Sequence, residues 1–178
     1  MKKEFWLERW EREEIGFHQN EVNSYLRQYW NELNAASDAV VFVPLCGKSS
    51  DMLWLRQQGH RVLGVELSHI AAQAFFKENN YVPHCVTAGK FERYASHLTS
   101  ILPPATQILL ITFDYPQHEM PGPPFAVSRC EVEALYKKHA SIRLLAQLDV
   151  LPQNPRFQLR GMSSLQENIF LLTMHPSA

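Results

Sequence analysis

Ala39-Val40-Val41-Phe42-Val43-Pro44-Leu45 runs directly into Cys46-Gly47-Lys48-Ser49-Ser50. The first seven residues are apolar and rich in β-branched side chains. A short run of that kind reads as a strand buried on both faces, as in a parallel sheet. The glycine turn leads into Met52, Leu53, Trp54 and Leu55. These belong on a helix that Ser49 or Ser50 can N-cap, and Gly59 can end it in the left-handed conformation. Arg61-Val62-Leu63-Gly64-Val65-Glu66-Leu67 reads as a second strand, and Ser68 can cap a helix running through Ala71, Ala74, Phe75 and Phe76 to Asn79. Strand, helix, strand, helix is the signature of a parallel α/β sheet.

Outward from this centre, the N-terminal third reads helical. Phe5, Trp6 and Trp10, then Tyr25, Leu26, Tyr29, Trp30 and Leu33, recur at helical spacing, with Gly16 as the break between them. Toward the C-terminus, Phe91 to Ile101 reads as a helix that Pro103-Pro104 stops. Ile108 to Phe113 is a third strand, and the prolines between Tyr115 and Phe125 require an extended loop. Ser128-Arg129-Cys130-Glu131 is a capping box that opens a helix to about His139. Ile142 to Val150 and Asn168 to Met174 read as two further strands, with Pro152, Pro155 and Gly161 in the loop between them. No repeat or internal boundary is visible. The expected organisation is one domain over 1–178, with a helical cap at 1–36 and an α/β core at 37–178.

Composition narrows the classes. The 178 residues suit one domain, and 46% hydrophobic with 20% charged residues excludes a disordered or coiled-coil chain. Lys+Arg is 17 and Asp+Glu is 18, a balance that argues against binding driven by nucleic-acid phosphates. Cys46, Cys85 and Cys130 are widely spaced and include no C-x-x-C. They fit a reducing cytoplasm, with Cys46 and Cys85 expected as buried small apolar residues. His60, His69, His84 and His97 lack ligand spacing on one element, so no metal is expected. The start, Met1 to Trp10, lacks the uncharged apolar run of a signal peptide. No apolar run approaches the ~18 residues of a membrane span.

Ligands of open parallel sheets bind outside the carboxyl ends of the strands, which here means Leu45 to Ser50 and Glu66 to His69. Gly47-Lys48-Ser49 suggests a phosphate loop, but the pattern G-x-x-x-x-G-K-[ST] would need glycine where Phe42 stands. A dinucleotide fold needs G-x-G-x-x-G, and of that only Gly47 is present. The remaining reading is a nucleoside ligand without pyrophosphate, such as S-adenosylmethionine (SAM). A turn after strand one would take its amino-acid end, and Glu66 could accept hydrogen bonds from both ribose hydroxyls. Glu66 follows Gly47 at about the twenty-residue interval of nucleoside-binding crossovers. A strand-end glutamate is as often a solvated terminus, and spacing leaves both readings open.

The strings Val43-Pro44-Leu45-Cys46-Gly47-Lys48-Ser49 and Gly59-His60-Arg61-Val62-Leu63-Gly64-Val65-Glu66-Leu67-Ser68 resemble the SAM-binding core of the bacterial thiopurine S-methyltransferases. Phe5-Trp6-Leu7-Glu8-Arg9-Trp10 and Gly16-Phe17-His18-Gln19 resemble that family's N-terminal cap. Asp114-Tyr115-Pro116-Gln117, Gly122-Pro123-Pro124-Phe125 and Asn154-Pro155-Arg156-Phe157 resemble its C-terminal half. The resemblance covers almost the whole chain.

It implies an α/β class I methyltransferase fold, Rossmann-like, with a mostly parallel sheet flanked by helices. It also implies methyl transfer from SAM to the sulfur of aromatic or heterocyclic thiols, and some bacterial members handle selenium or tellurium compounds. A cytoplasmic monomer acting on small molecules, without nucleic-acid or membrane partners, is the expectation. Carried over by position, Trp10 would pack on the cofactor, the backbone of Leu45 and the turn through Gly47 would hold the methionine end, and Glu66 would hold the ribose. Phe17 would contact the acceptor ring, and Arg156 would stand near the acceptor as a positive group. Each has a plainer alternative: Trp10 with Phe5 and Trp6 as a packing stripe, Phe17 as a staple for the cap, Arg156 as a solvated charge.

The chain departs from the family in one place. It follows the pattern to about Phe91 and resumes at about Arg93, at the segment just before the Ile108–Phe113 strand. The absent stretch supplies two strands, an adenine-binding segment and an Asp-Arg pair. One of those strands belongs between Val40–Leu45 and Ile108–Phe113. Its loss leaves backbone groups without partners unless the strands close up. A catalytically impaired chain, or one that binds SAM without turning it over, is therefore the alternative expectation. In-line methyl transfer requires alignment of donor and acceptor, and a thiolate is its own nucleophile. No Ser-His-Asp or Cys-His machinery is expected.

Overall fold

In the computed structural model the described residues are 3–81, 102–120 and 125–175. The helix expected over Phe91 to Ile101, the site of Cys85, His84 and His97, and the Pro121–Pro124 stretch lie outside them. The chain groups into two compact units, Met1–Gln28 with Asn34–Gly89, and Tyr29–Leu33 with Lys90–Ala178.

In the first unit, helix α1 (Lys3–Glu11) and helix α2 (Ser24–Tyr29) precede strand β1 (Val40–Pro44). Helix α3 (Asp51–Gln57) crosses to strand β2 (Arg61–Val65), and helix α4 (His69–Glu78) follows. β1 and β2 pair in parallel, Val40 against Arg61 through Pro44 against Val65. The helical crossover is what lets two parallel strands be neighbours. Gly59 follows α3 at φ +94°, as its place in the sequence requires. Gly64 is needed for space: a Cβ there would meet Met52 Sδ at 2.8 Å and Cys46 Sγ at 2.9 Å. The break after α1 comes earlier than Gly16, with Glu13 taking the left-handed conformation at φ 56°.

β1 is not buried on both faces, as its apolar composition predicts. Val40 is 53% exposed, and Leu63 on β2 is 54% exposed. Among the described residues β1 pairs only with β2, and a strand with one neighbour is left half covered.

In the second unit, strands β3 (Gln107–Asp114), β4 (Ala140–Asp149) and β5 (Gln166–Met174) form a sheet in the order β3-β5-β4. Both ladders are antiparallel, so the parallel pairing expected for most of the sheet is confined to β1 and β2 among the described residues. β4 and β5 are joined by a turn at Leu151–Gln153 and the short helix α6 (Pro155–Gln158), without the long crossover that parallel strands need. Helix α5 (Arg129–Tyr136) opens with the capping box: Ser128 Oγ accepts from Glu131 N, and the Glu131 carboxylate accepts from Ser128 N. Val132 of α5 packs with Ala140, Phe170, Leu172 and Met174 in the core. β5 is central, and Ile169, Phe170 and Leu172 are fully buried. Beside them, Asn168 and Thr112 face each other in register, and the Asn168 amide and Thr112 hydroxyl are buried without hydrogen-bond partners among the described residues.

Candidate functional site

The turn after β1 is set by two residues in the left-handed region, Leu45 at φ 49° and Gly47 at φ 52°. For leucine that conformation costs roughly 1–2 kcal/mol, and such strain persists where the surroundings hold it. Three hydrogen bonds hold it here. Cys46 N donates to Val65 O at 3.1 Å, which extends the β1–β2 ladder by one residue. Ser49 N donates to Cys46 O at 3.0 Å. Gly47 N donates to Glu66 Oε2 at 2.8 Å.

Glu66 stands just past β2, one strand over. Its other oxygen, Oε1, accepts from Ser68 N at 2.7 Å. Ser68 in turn caps α4, its hydroxyl accepting from Ala71 N at 3.3 Å. One carboxylate therefore ties the glycine turn to the start of α4. Each carboxylate oxygen has a second lone pair, so both remain able to accept from a diol.

Above the turn lies the cap. Trp10 is 7% exposed, and a Cβ on Gly47 would sit 3.2 Å from Trp10 Cζ2. Glycine is thus required at 47 twice, for its conformation and for the approach of the indole. Phe17 stands edge-to-face with Trp10 at 5.8 Å and with Trp6 at 5.3 Å, and is itself 49% exposed. Trp10 and Phe17 are accordingly both packing residues and neighbours of the turn.

Two cysteine and histidine environments complete the picture. Burial, and then the Glu66 carboxylate, push the Cys46 thiol up to about 11, so it is a neutral thiol at pH 7. Lys48 Nζ pairs with Glu78 Oε1 at 2.7 Å. Partial burial, then the Lys48 ammonium, hold the His18 imidazole below its usual range, against the opposing pull of Glu78 and a hydrogen bond with the Asn20 side chain as acceptor. Among the described residues no three His, Cys, Asp or Glu side chains are grouped to hold a metal ion.

The first unit thus brings together Trp10, Phe17, Leu45, Gly47 and Glu66. Arg156 belongs to the second unit, where it lies exposed on α6. The sequence reading missed the second backbone donor on Glu66, from Ser68, and the attachment of the segment between α1 and α2 to α3. No local signal announces the latter; Asn23, ahead of Ser24 and Tyr25, marks only the start of α2 as an N-cap residue. Its Oδ1 accepts from Tyr25 N at 2.9 Å and Leu26 N at 3.2 Å. Ser50 N-caps α3 by position but makes no side-chain cap bond. Ser49 Oγ instead accepts from Asp51 N at 3.1 Å.

The thiopurine S-methyltransferase family model matches this chain over residues 1–93 and again over 85–175. The chain is 54% identical to the thiopurine S-methyltransferase of Nitrosospira multiformis, over 97% of this chain and 98% of the relative. It is 39% identical to that of Pseudomonas fluorescens, over 96% and 98% of the two. A solved structure from work on the conversion of a disulfide bond into a thioacetal group during echinomycin biosynthesis shares the fold, with a TM-score of 0.58 at 12% identity, covering 88% of this chain and 84% of that one.

These matches place the α/β chain in the SAM-dependent methyltransferase class. It belongs to the thiopurine S-methyltransferase family. The departure from the family is also visible in these matches. The two model segments overlap on residues 85–93. The alignment with the Nitrosospira relative runs over 215 positions against 178 residues here, so at least 37 positions of the relative face no residue of this chain. No helix among the described residues is long and apolar enough to cross a membrane.

Proposed function

We propose that this chain transfers a methyl group from SAM to the sulfur of an aromatic or heterocyclic thiol. One observation carries the reading: the Glu66 carboxylate bridges Gly47 N and Ser68 N beside a turn that holds Leu45 in a strained conformation. That arrangement fits a ligand with an amino-acid end and a ribose. The donor, when bound, supplies an electrophilic methyl group on a sulfonium. Glu66 accepts from the ribose hydroxyls, and the Leu45–Gly47 backbone takes the amino-acid end. Trp10 closes the cap side and excludes water. Phe17 offers its exposed ring to the acceptor. The thiolate needs no protein nucleophile. Incubation with labelled SAM and a set of aromatic thiols tests this. Methylated thiol is the expected product, and no turnover across the set would overturn the reading.

The second reading, SAM binding without turnover, is favoured by the unmatched positions of the relative and by β1 having one ladder among the described residues. Calorimetry separates the two: binding heat with no methylated product supports it, and product formation rejects it.

A further inference from the structure

The segment from Gly16 to Asn23 links α1 to α2 and carries Phe17. It lies alongside α3 with a groove of about 540 Å³ between them, bounded by Asn20–Val22 and Arg27 on one side and Leu53, Trp54 and Gln57 on the other. Two polar ties join the strap to the start of α3, one from its N-cap residue and one from its first residue. Asp51 Oδ1 accepts from Asn23 N at 2.7 Å. Ser50 Oγ donates to Asn20 O at 2.8 Å. At its other end the strap is fixed by Phe17 against Trp6 and Trp10, and Trp10 covers Gly47.

We propose that Asp51 is a positioning residue for the donor site, holding the strap so that Phe17 and Trp10 stay over the Leu45–Gly47 turn. The proposal rests on the SAM reading for its ligand, but not for the strap itself. The charge makes Asp51 the stronger tie, since a hydrogen bond to a charged group exceeds a neutral one. The tie is separable from α2, because Asn23 caps that helix with its own side chain and meets Asp51 with its backbone N–H. Asp51 lies four residues past Gly47, so one short stretch of chain carries both the turn and the tie to the strap.

The test uses the full chain in four forms: wild type, Asp51→Ala, Asp51→Asn and Ser50→Ala. Amide hydrogen exchange over residues 16–26 reads the strap. Calorimetric affinity for S-adenosylhomocysteine reads the site. Asp51→Ala is expected to speed exchange at Asn23 and its neighbours and to weaken the ligand about tenfold, equivalent to ~1.4 kcal/mol. Asp51→Asn keeps an oxygen acceptor and is expected to restore most of both, which a role confined to charge at the start of α3 would not do. Should Asp51→Ala fail to fold, Ser50→Ala is expected to show the same pair of effects, each about threefold. Unchanged exchange in the folded variants overturns the proposal. So does fast exchange with unchanged affinity, or an asparagine variant no better than alanine. Wild type without affinity for the ligand would overturn the SAM reading instead, while exchange still decides whether Asp51 holds the strap.

Discussion

Glu66 and Gly47 lie on neighbouring strand ends and are joined by a single hydrogen bond of 2.8 Å from backbone amide to carboxylate. The bond joins the two parts of the candidate site, the turn proposed for the amino-acid end and the acid proposed for the sugar. An ordinary strand-end glutamate would be solvated. This one is held by two backbone donors, which fix its orientation.

That orientation makes Glu66 the first residue to change. Glu66→Ala removes both acceptors, and hydrogen bonds to charged groups are worth ~1.5–3 kcal/mol each. SAM affinity measured by calorimetry is expected to fall at least tenfold. Glu66→Gln keeps one acceptor and presents an amide N–H to a backbone N–H, and is expected to fall between the two. Unchanged affinity in Glu66→Ala would remove the basis of the functional reading.

Gly47→Ala meets two obstacles, φ +52° and a ring carbon of Trp10 at 3.2 Å. Displacement of the indole is expected, seen as a shift in tryptophan emission, together with a stability loss of ~1–2 kcal/mol. Gly64→Ala acts differently. Its Cβ collides with Met52 Sδ and Cys46 Sγ, an overpacking cost of ~1–3 kcal/mol. Cys46→Ala in the same chain is expected to relieve part of it. Additive losses in the double variant would contradict the collision.

The Cys46 thiol titrates at about 11 in the folded chain against an ordinary value of 9.0. A raised pKa means the folded state holds its proton longer than the unfolded state. The thiol's contribution to stability is therefore complete below pH 9 and is lost as pH rises toward 11. Burial raises Tyr136 in the same direction. Denaturant midpoints between pH 8 and 11 are expected to fall, and to fall less in Cys46→Ala. At pH 8, alkylation mapped by mass spectrometry is expected to mark exposed Cys130 well before Cys46.

Thr112 and Asn168 bury polar atoms that make no hydrogen bonds among the described residues. A buried unmade hydrogen bond costs ~1–3 kcal/mol. Thr112→Val keeps the shape and removes the hydroxyl, so the melting temperature is expected to rise by ~2–4 °C. A fall would mean that the hydroxyl has a partner.

If residues 1–178 form one domain, thermal unfolding is a single cooperative transition. SAM is then expected to raise its midpoint, as mass action requires of a ligand of the native state. Two transitions, with SAM shifting one, would separate the unit of Met1–Gln28 with Asn34–Gly89 from the remainder.

Much of this was readable along the chain because the signals are local. The strand-helix-strand-helix order from Val40 to Glu78 follows from apolar runs bounded by Ser49, Gly59 and Ser68, each acting within a few residues of itself. The Ser128–Glu131 capping box formed as written. The interval and the family resemblance single out Glu66 and Gly47 as candidates, and the resemblance singles out Trp10 and Phe17.

Other features depended on residues far apart in sequence. Nothing local shows that β5 lies between β3 and β4 and runs antiparallel to both, because pairing is chosen by whichever faces can be buried together. Nothing in an apolar run shows whether a neighbouring strand is there to cover it, so Val40 reads as buried and is exposed. The oxygen of Asp51 meets the amide of Asn23 across 28 residues of chain. A bond of that span exists only after α3 has packed beneath the strap, which is why composition and spacing fall silent there and the fold decides.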